Sequence, residues 1–483
     1  MNYPGTNNVY KRQESLFLPS WLKQVRLKNF IIPTIISIFL FSGGIGVAQP
    51  ALILCFGFFL FGYVGAFRAL SMIWFIAFFN YGSNYENKIA FSGSEDLFKW
   101  LALILATAYV VFRIVVYRKS RAFSKPTTKQ FILLLPFIAF TTVSSIYVSY
   151  VPSVSLMKLF TFSLGTFVAL EIPRNCRTEK ELTALHSIFA SFLVVISFGS
   201  LISLPFPISY STNGLGFQGI LNQPQALGIM LSAIAIYLLG VNRLVPAVGN
   251  LRIHQAAAAV AIFLMPLTLA RTALVALACG MMSYLLYSIW RGQFERTAAA
   301  VTGVIILLSC ILAGADGGIS SKLLFKQNAN ISMSIGDEFS ASRGEFVSEA
   351  FENISNRPMT GIGFGLPSVP AKLVVHNDPI FDLPVSAPVE KGFSFLALLE
   401  ETGGIGFCLL VGALLLMLRS RMLMSIAMPM QLFITVLATN FGESTLFSLG
   451  GLGFLFWLFI GLSSLNGGSA VVPTPNRPVA RWQ

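Results

Sequence analysis

Apolar residues in this chain come in long, nearly unbroken runs, and the polar positions fall between the runs rather than alternating within them. A helix needs about 20 apolar residues to cross a hydrocarbon core. Runs of that kind occupy 30–48, 51–67, 99–116, 130–150, 153–171, 184–204, 224–241, 297–314, 422–441 and 445–463. Four further segments extend the pattern: 69–82 is short, 255–270 and 271–290 form one run split at Arg271, and 394–418 opens with a polar, glycine-rich turn. Strands of a barrel would show period-two alternation, whereas continuous runs predict helices, which satisfy their backbone within the segment. The expected fold is all-α, a polytopic bundle of 12–14 transmembrane helices with one large external lobe. The pattern divides the chain into a cytoplasmic segment with an interfacial helix (1–29), a helical bundle (30–314), an external lobe (315–392), C-terminal transmembrane helices (393–464) and a disordered cytoplasmic tail (465–483).

Composition sharpens this picture. Apolar residues make up 55% of the chain and charged residues 11%, values of a membrane protein. The net charge of +13 would suit nucleic acid, but the basic residues are spread over short loops. They are Lys11 to Lys28, Arg118 to Lys129, Arg174 to Lys180, Arg243 and Arg252, Arg291 and Arg296, Arg419 and Arg421, and Arg477 and Arg481. Counting fourteen spans from a cytoplasmic N-terminus puts every group on the cytoplasmic side, as the positive-inside rule asks. The charge sets orientation, and no nucleic-acid partner is expected. None of the five cysteines lies in the lobe, so neither a disulfide framework nor a thiolate metal site is expected. No His and carboxylate cluster has metal-ligand spacing, and no cofactor is expected.

The same count places 315–392 outside, with nine acidic and six basic residues, the mixed charge of a water-facing lobe. Within it, Ser342 and Glu345 have capping-box spacing and Phe346, Ala350, Phe351 and Ile354 follow at helical intervals, which predicts an amphipathic helix ending at Asn356-Arg357-Pro358 with Arg343 in its first turn. Amides and helix dipole are already positive there, so a cation at that point suggests an anion nearby. "GIGFG" at 361–365 resembles a phosphate loop only superficially, with no strand before it and no helix after it. Arg271 and Glu443 fall at outer turns between helices; a charge at mid-bilayer costs about 3 kcal/mol and usually turns to a partner or a cavity.

Taken in order, "GFQGILNQPQALG" (216–228), "TLARTALVALA" (268–278), a large external loop with "SASRGEF" and "NRPMTGIGFG", and "LLEETGGIG" (398–406) resemble the bacterial O-antigen ligase and O-antigen polymerase family over roughly 210–410. The resemblance implies a membrane glycosyltransferase of the bacterial inner membrane, its large loop periplasmic, with a polyprenyl-diphosphate-linked oligosaccharide as donor and a glycan or glycolipid as acceptor. Membrane lipids, and other components of polysaccharide export, would be its partners. The family's two arginines map onto Arg271 and Arg343. Planar guanidinium forks suit a diphosphate leaving group. Members carry a His-Asn pair about nine residues before the glutamate that corresponds to Glu401. Here His376-Asn377 lies further upstream and the usual position reads "VEKGFSF". The expected catalytic residues are therefore Arg271 and Arg343, with His376, or Glu390 and Lys391, in the polar role; Arg357, Glu401 and Glu443 are expected to bind substrate. The expected activity is polymerisation of lipid-linked repeat units. A ligase moving the glycan to a lipid core or protein shares the donor chemistry, and a glycolipid flippase is the alternative of another class, against which stand the large lobe and the lack of internal repeats.

Overall fold

A computed structural model describes residues 27–43, 45–79, 92–116, 130–210, 216–292, 335–377, 384–387, 389 and 391–464. The expected span 297–314, the first part of the lobe, Glu390, the terminal tail and most of the interfacial segment lie outside the described residues. The helices are α1 (Leu27–Gly43), α2 (Ile45–Gly57), α3 (Gly62–Phe78), α4 (Ser92–Val116), α5 (Gln130–Tyr147), α6 (Pro152–Arg174), α7 (Glu179–Ser203), α8 (Pro224–Leu244), α9 (Leu251–Leu264), α10 (Arg271–Trp290), α11 (Ile335–Asn356), α12 (Ser394–Met422), α13 (Met428–Thr439) and α14 (Gly453–Ser463). Among the described residues nine segments are long and apolar enough to cross a membrane, accompanied by three shorter apolar helices. The protein is an all-α polytopic membrane protein. Proline opens α6 and α8, where the missing N–H has no intrahelical partner to lose. Hydroxyls inside the helices, such as Thr107, Thr142 and Ser163, bond back to the carbonyl four residues earlier, which makes them tolerable in an apolar medium.

Several of the described basic residues gather at one end. There Arg113 makes a fork to Glu181 at 2.9 and 2.8 Å, Arg174 pairs with Glu171 at 2.9 Å, Arg291 donates to the Met424 carbonyl, and the fully buried Arg421 donates to Gln130 and to the carbonyls of Met417 and Ile460. The opposite end, here the lobe end, brings together Phe78 and Asn222, Phe217 and Leu267, and the loop after α11 with the ends of α5 and α12. His186 and His254 are buried, bonded to Tyr237 and Asn242 at 2.8 Å each.

Three boundaries differ from the pattern. The runs 51–67 and 69–82 are recut by a 3₁₀ turn at Phe58–Phe61, after which Gly62, at φ 75°, starts α3; a Cβ at Gly65 would sit 2.2 Å from the Phe58 carbonyl oxygen, so only glycine closes that turn. The run 445–463 is helical only from Gly453; 440–452 is an apolar loop whose carbonyls at Leu446 and Gly451 are taken by the indoles of Trp457 and Trp74. The lobe helix α11 begins at Ile335, not at Ser342. Arg343 thus lies two turns inside the helix. The dipole argument for an anion at Arg343 therefore does not hold.

Candidate functional site

The site grows from a break in α12. The helix is interrupted at Gly403, at φ 64° and ψ −177°, a conformation open almost only to glycine. A Cβ there would lie 2.2 Å from the Met359 carbonyl carbon. The break releases the carbonyls of Glu400 and Glu401 from their helical partners, and the loop after α11 takes them: Ile362 N–H donates to Glu400 and Gly363 N–H to Glu401, both at 3.0 Å, while Gly404 N–H donates to Pro358 at 2.7 Å. Every buried backbone group must find a partner, and here loop and helix complete each other. Of the amides of "GIGFG", those of Ile362, Gly363 and Gly365 are thus consumed by docking, the last bonded to the Glu401 carboxylate at 2.6 Å, and Gly361 N–H bonds back to Arg357. Phe364 inserts its ring among Phe137, Phe162 and Phe447, with centroids 5.7–6.4 Å apart.

Four charged side chains sit beneath this loop. Lys391 is 7% exposed, and its ammonium lies 2.8 Å from Glu400 Oε2 and 3.1 Å from Glu401 Oε1. Asn353 of α11 donates to Glu400 Oε1 at 2.6 Å and to the Ser368 carbonyl at 2.9 Å. Lys158 of α6 donates to the Gly365 carbonyl, so Lys158 and Glu401 hold the oxygen and the nitrogen of one glycine. Two cations and two carboxylates balance, which is the condition for keeping such charges buried. Tyr150 donates to the Pro367 carbonyl at 2.8 Å; burial, followed by the carboxylates of Glu400 and Glu401, pushes its phenol well above the usual range.

Above the charges opens a small cleft, lined by Phe346, Val347 and Ala350 of α11 and by Lys391, Phe393 and Glu400. Arg343 lies one turn ahead of Phe346 and Val347 on α11, and its side chain is outside what the structure describes. Arg271 opens α10 and is exposed. Two residues earlier Leu269 holds φ 55° and ψ 19°, a left-handed conformation that costs an L-residue about 1–2 kcal/mol, and strain of this kind gathers at functional sites. Thr272, next to Arg271, packs on Gly442, where an added Cβ would meet its hydroxyl at 2.1 Å. Asn440 organises that neighbouring loop: its buried carboxamide accepts from Ser394, Thr445 and Leu446, and Ser394 also donates to the Glu443 carbonyl at 3.0 Å. The turn of Arg271, the loop of Glu443 and the lead-in to α12 with Lys391 therefore adjoin one another.

Other expected residues are placed elsewhere. His376 stands on a two-stranded hairpin, β1 (His376–Asn377) with β2 (Pro384–Ser386), set against α4 and α6, and it does not line the cleft. Arg357 is exposed and donates to the Val148 carbonyl at 2.7 Å, tying the loop to the C-terminus of α5, an end that favours a cation. The sequence reading did not single out Glu400, Asn353, Lys158 or Asn440. The adjacent acids of "LLEET" and the lone cation in the apolar run 153–171 were the signals available.

Among the described residues no group of His, Cys, Asp and Glu has metal-binding geometry. No curated protein matches the chain. A family model described as O-antigen ligase matches residues 256–390, which take in most of α9, all of α10 and α11, and the loop that docks on α12. Over that stretch the chain is similar to the O-antigen ligase family, whose members carry out glycan transfer of the ligase or polymerase type, and the match supports that family for the chain.

Proposed function

We propose that this protein polymerises lipid-linked oligosaccharide repeat units, transferring the glycan en bloc from a polyprenyl diphosphate donor to a second lipid-linked glycan at the outer leaflet of the inner membrane. The observation that carries the reading is the cleft at the lobe end. There α11 of the family-matched segment covers Lys391 and Glu400, and the turn bearing Arg271 adjoins the Glu443 loop beside the start of α12.

In this reading the donor chain lies in the bilayer with its diphosphate at the Arg271 turn, where a permanently charged fork meets phosphate oxygens at the membrane edge. Arg343 approaches from α11. Cleaving the sugar from the diphosphate leaves charge on the leaving oxygens, and fixed cations there stabilise the transition state more than the ground state. A ligase that moves the glycan to a lipid core or protein would use the same donor end and differ in its acceptor groove. The experiment is reconstitution of the purified protein in liposomes with a synthetic polyprenyl-diphosphate oligosaccharide. A ladder of products from donor alone supports polymerisation. Transfer only upon addition of a lipid-core or protein acceptor supports ligation, and no transfer under either condition rejects the reading.

A further inference from the structure

The two carboxylates that share Lys391 are not equivalent. Glu401 gives Oε1 to Lys391 and Oε2 to the Gly365 N–H, and it does not line the cleft. Glu400 does line it, although the residue is only 1% exposed. Asn353 and Lys391 take one of its oxygens each, and a carboxylate oxygen with one donor keeps a lone pair for a second. Glu401 is thus bound into the docking of the loop, whereas Glu400 is held rigidly and faces the space where a substrate would lie. A hydroxyl entering the cleft would meet Glu400 before any other carboxylate described there.

We propose that Glu400 accepts the proton of the attacking acceptor hydroxyl, with Asn353 as the positioning residue that sets the carboxylate from the lobe helix; this rests on the glycan-transfer reading above. In the step, the acceptor oxygen forms its bond to the anomeric carbon while the bond from that carbon to the diphosphate oxygen breaks. The electron pair of the broken bond leaves with the diphosphate, and the hydroxyl proton passes to Glu400 and from there to water. Nothing is oxidised or reduced. The hydroxyl becomes acidic only as its oxygen bonds to carbon, so the base acts late and its position matters more than its strength. Several charged and titratable groups face Glu400. Lys391 and Glu401 come from α12 and its lead-in, Lys158 from α6 and Tyr150 from the turn between α5 and α6. On α11, Glu349, one turn before Asn353, is paired with Lys372 at 2.8 Å instead.

The test uses the full chain in liposomes with the synthetic donor, measuring rate against pH. Glu400→Gln keeps the shape of the side chain but has a single acceptor oxygen, so it keeps the bond from Lys391 and turns a nitrogen to Asn353; Lys391 retains Glu401, so the variant should stay folded with a somewhat lower unfolding temperature while losing a factor of about 10²–10⁴ in rate. Asn353→Ala removes a donor that favours the charged carboxylate, so the acid limb of its profile should move to higher pH. A merely structural role for Asn353 would lower the rate without moving the limb. A wild-type rate in Glu400→Gln, an unmoved limb in Asn353→Ala, or an acid limb abolished by His376→Ala would each overturn the proposal. If the wild-type protein transfers no glycan, the reading fails and takes this step with it; a competent wild type with a competent Glu400→Gln removes the step alone.

Discussion

Truncating Phe364 measures what holds the lobe to the membrane domain. The ring is 1% exposed and meets Phe137, Phe162 and Phe447 edge-on, with interplanar angles of 74°, 63° and 85°. Its surroundings are helices of the same chain rather than lipid, so Phe364→Ala leaves a cavity that collapses only in part, at a cost of about 3–5 kcal/mol. The backbone hydrogen bonds of the docked loop contribute roughly 0.5–1.5 kcal/mol each, so the lost ring outweighs two or three of them. The bundle should stay folded while the loop lifts more often. Since 1.4 kcal/mol is a factor of ten in an equilibrium, the open population should rise by about 10²–10³ or more. Amide hydrogen exchange read at Ile362, Gly363 and Gly365 reports that population directly, because those N–H groups are bonded to Glu400 and Glu401 when the loop is seated. Phe351→Ala, on the same lobe but 57% exposed, is the control. Unchanged exchange in Phe364→Ala, or an equal rise in both variants, would refute the view that the buried ring anchors the lobe.

Arg271→Ala and Arg343→Ala should each abolish transfer in the reconstituted system while leaving insertion and thermal unfolding unchanged, and lysine at either position should recover little because an ammonium does not reproduce the bidentate fork; full activity in an alanine variant would remove that arginine from the site. Gly403→Ala should destabilise the protein by about 1–3 kcal/mol through its backbone conformation alone, with more from the collision with Met359, visible as a lower unfolding temperature in detergent and faster exchange at Gly404. For orientation, a cysteine replacing the partly exposed Lys372 should react with an impermeant maleimide on intact spheroplasts; reaction only after permeabilisation would place the lobe on the other face.

The spans were legible because lipid-facing helices need continuous apolar sequence, and Arg271 was legible because a lone cation in such a run must sit at an edge. The split at that residue is where α9 gives way to α10. The loop 440–452 was not legible, since Leu446, Leu449 and Leu452 are buried by protein while Asn440 and two tryptophans serve its backbone. The capping-box spacing of Ser342 and Glu345 misplaced the start of α11, because local side-chain chemistry was weighed over helix continuation through "GDEFSA". The pairing of Lys391 with Glu400 spans nine positions and depends on the turn that precedes α12, which no helical or strand periodicity encodes. Lys158 reads as a lone cation in a span until the loop supplies the Gly365 carbonyl.

The docked loop meets the membrane domain largely through its peptide groups: the carbonyls of Pro358, Thr360, Gly365 and Pro367 and the amides of Ile362, Gly363 and Gly365 all bond to the bundle. Peptide groups are the same whatever side chain they carry, so a contact written in them survives most substitutions. Apart from the glycines and Phe364, the lobe can exchange residues such as Met359 or Ser368 without losing its seat. If the glycan-transfer proposal holds, the lobe is a replaceable part on a fixed mount, and grafting the 335–369 stretch of a related chain onto this bundle should keep the fold while shifting the choice of glycan, which product analysis of the reconstituted chimera would read.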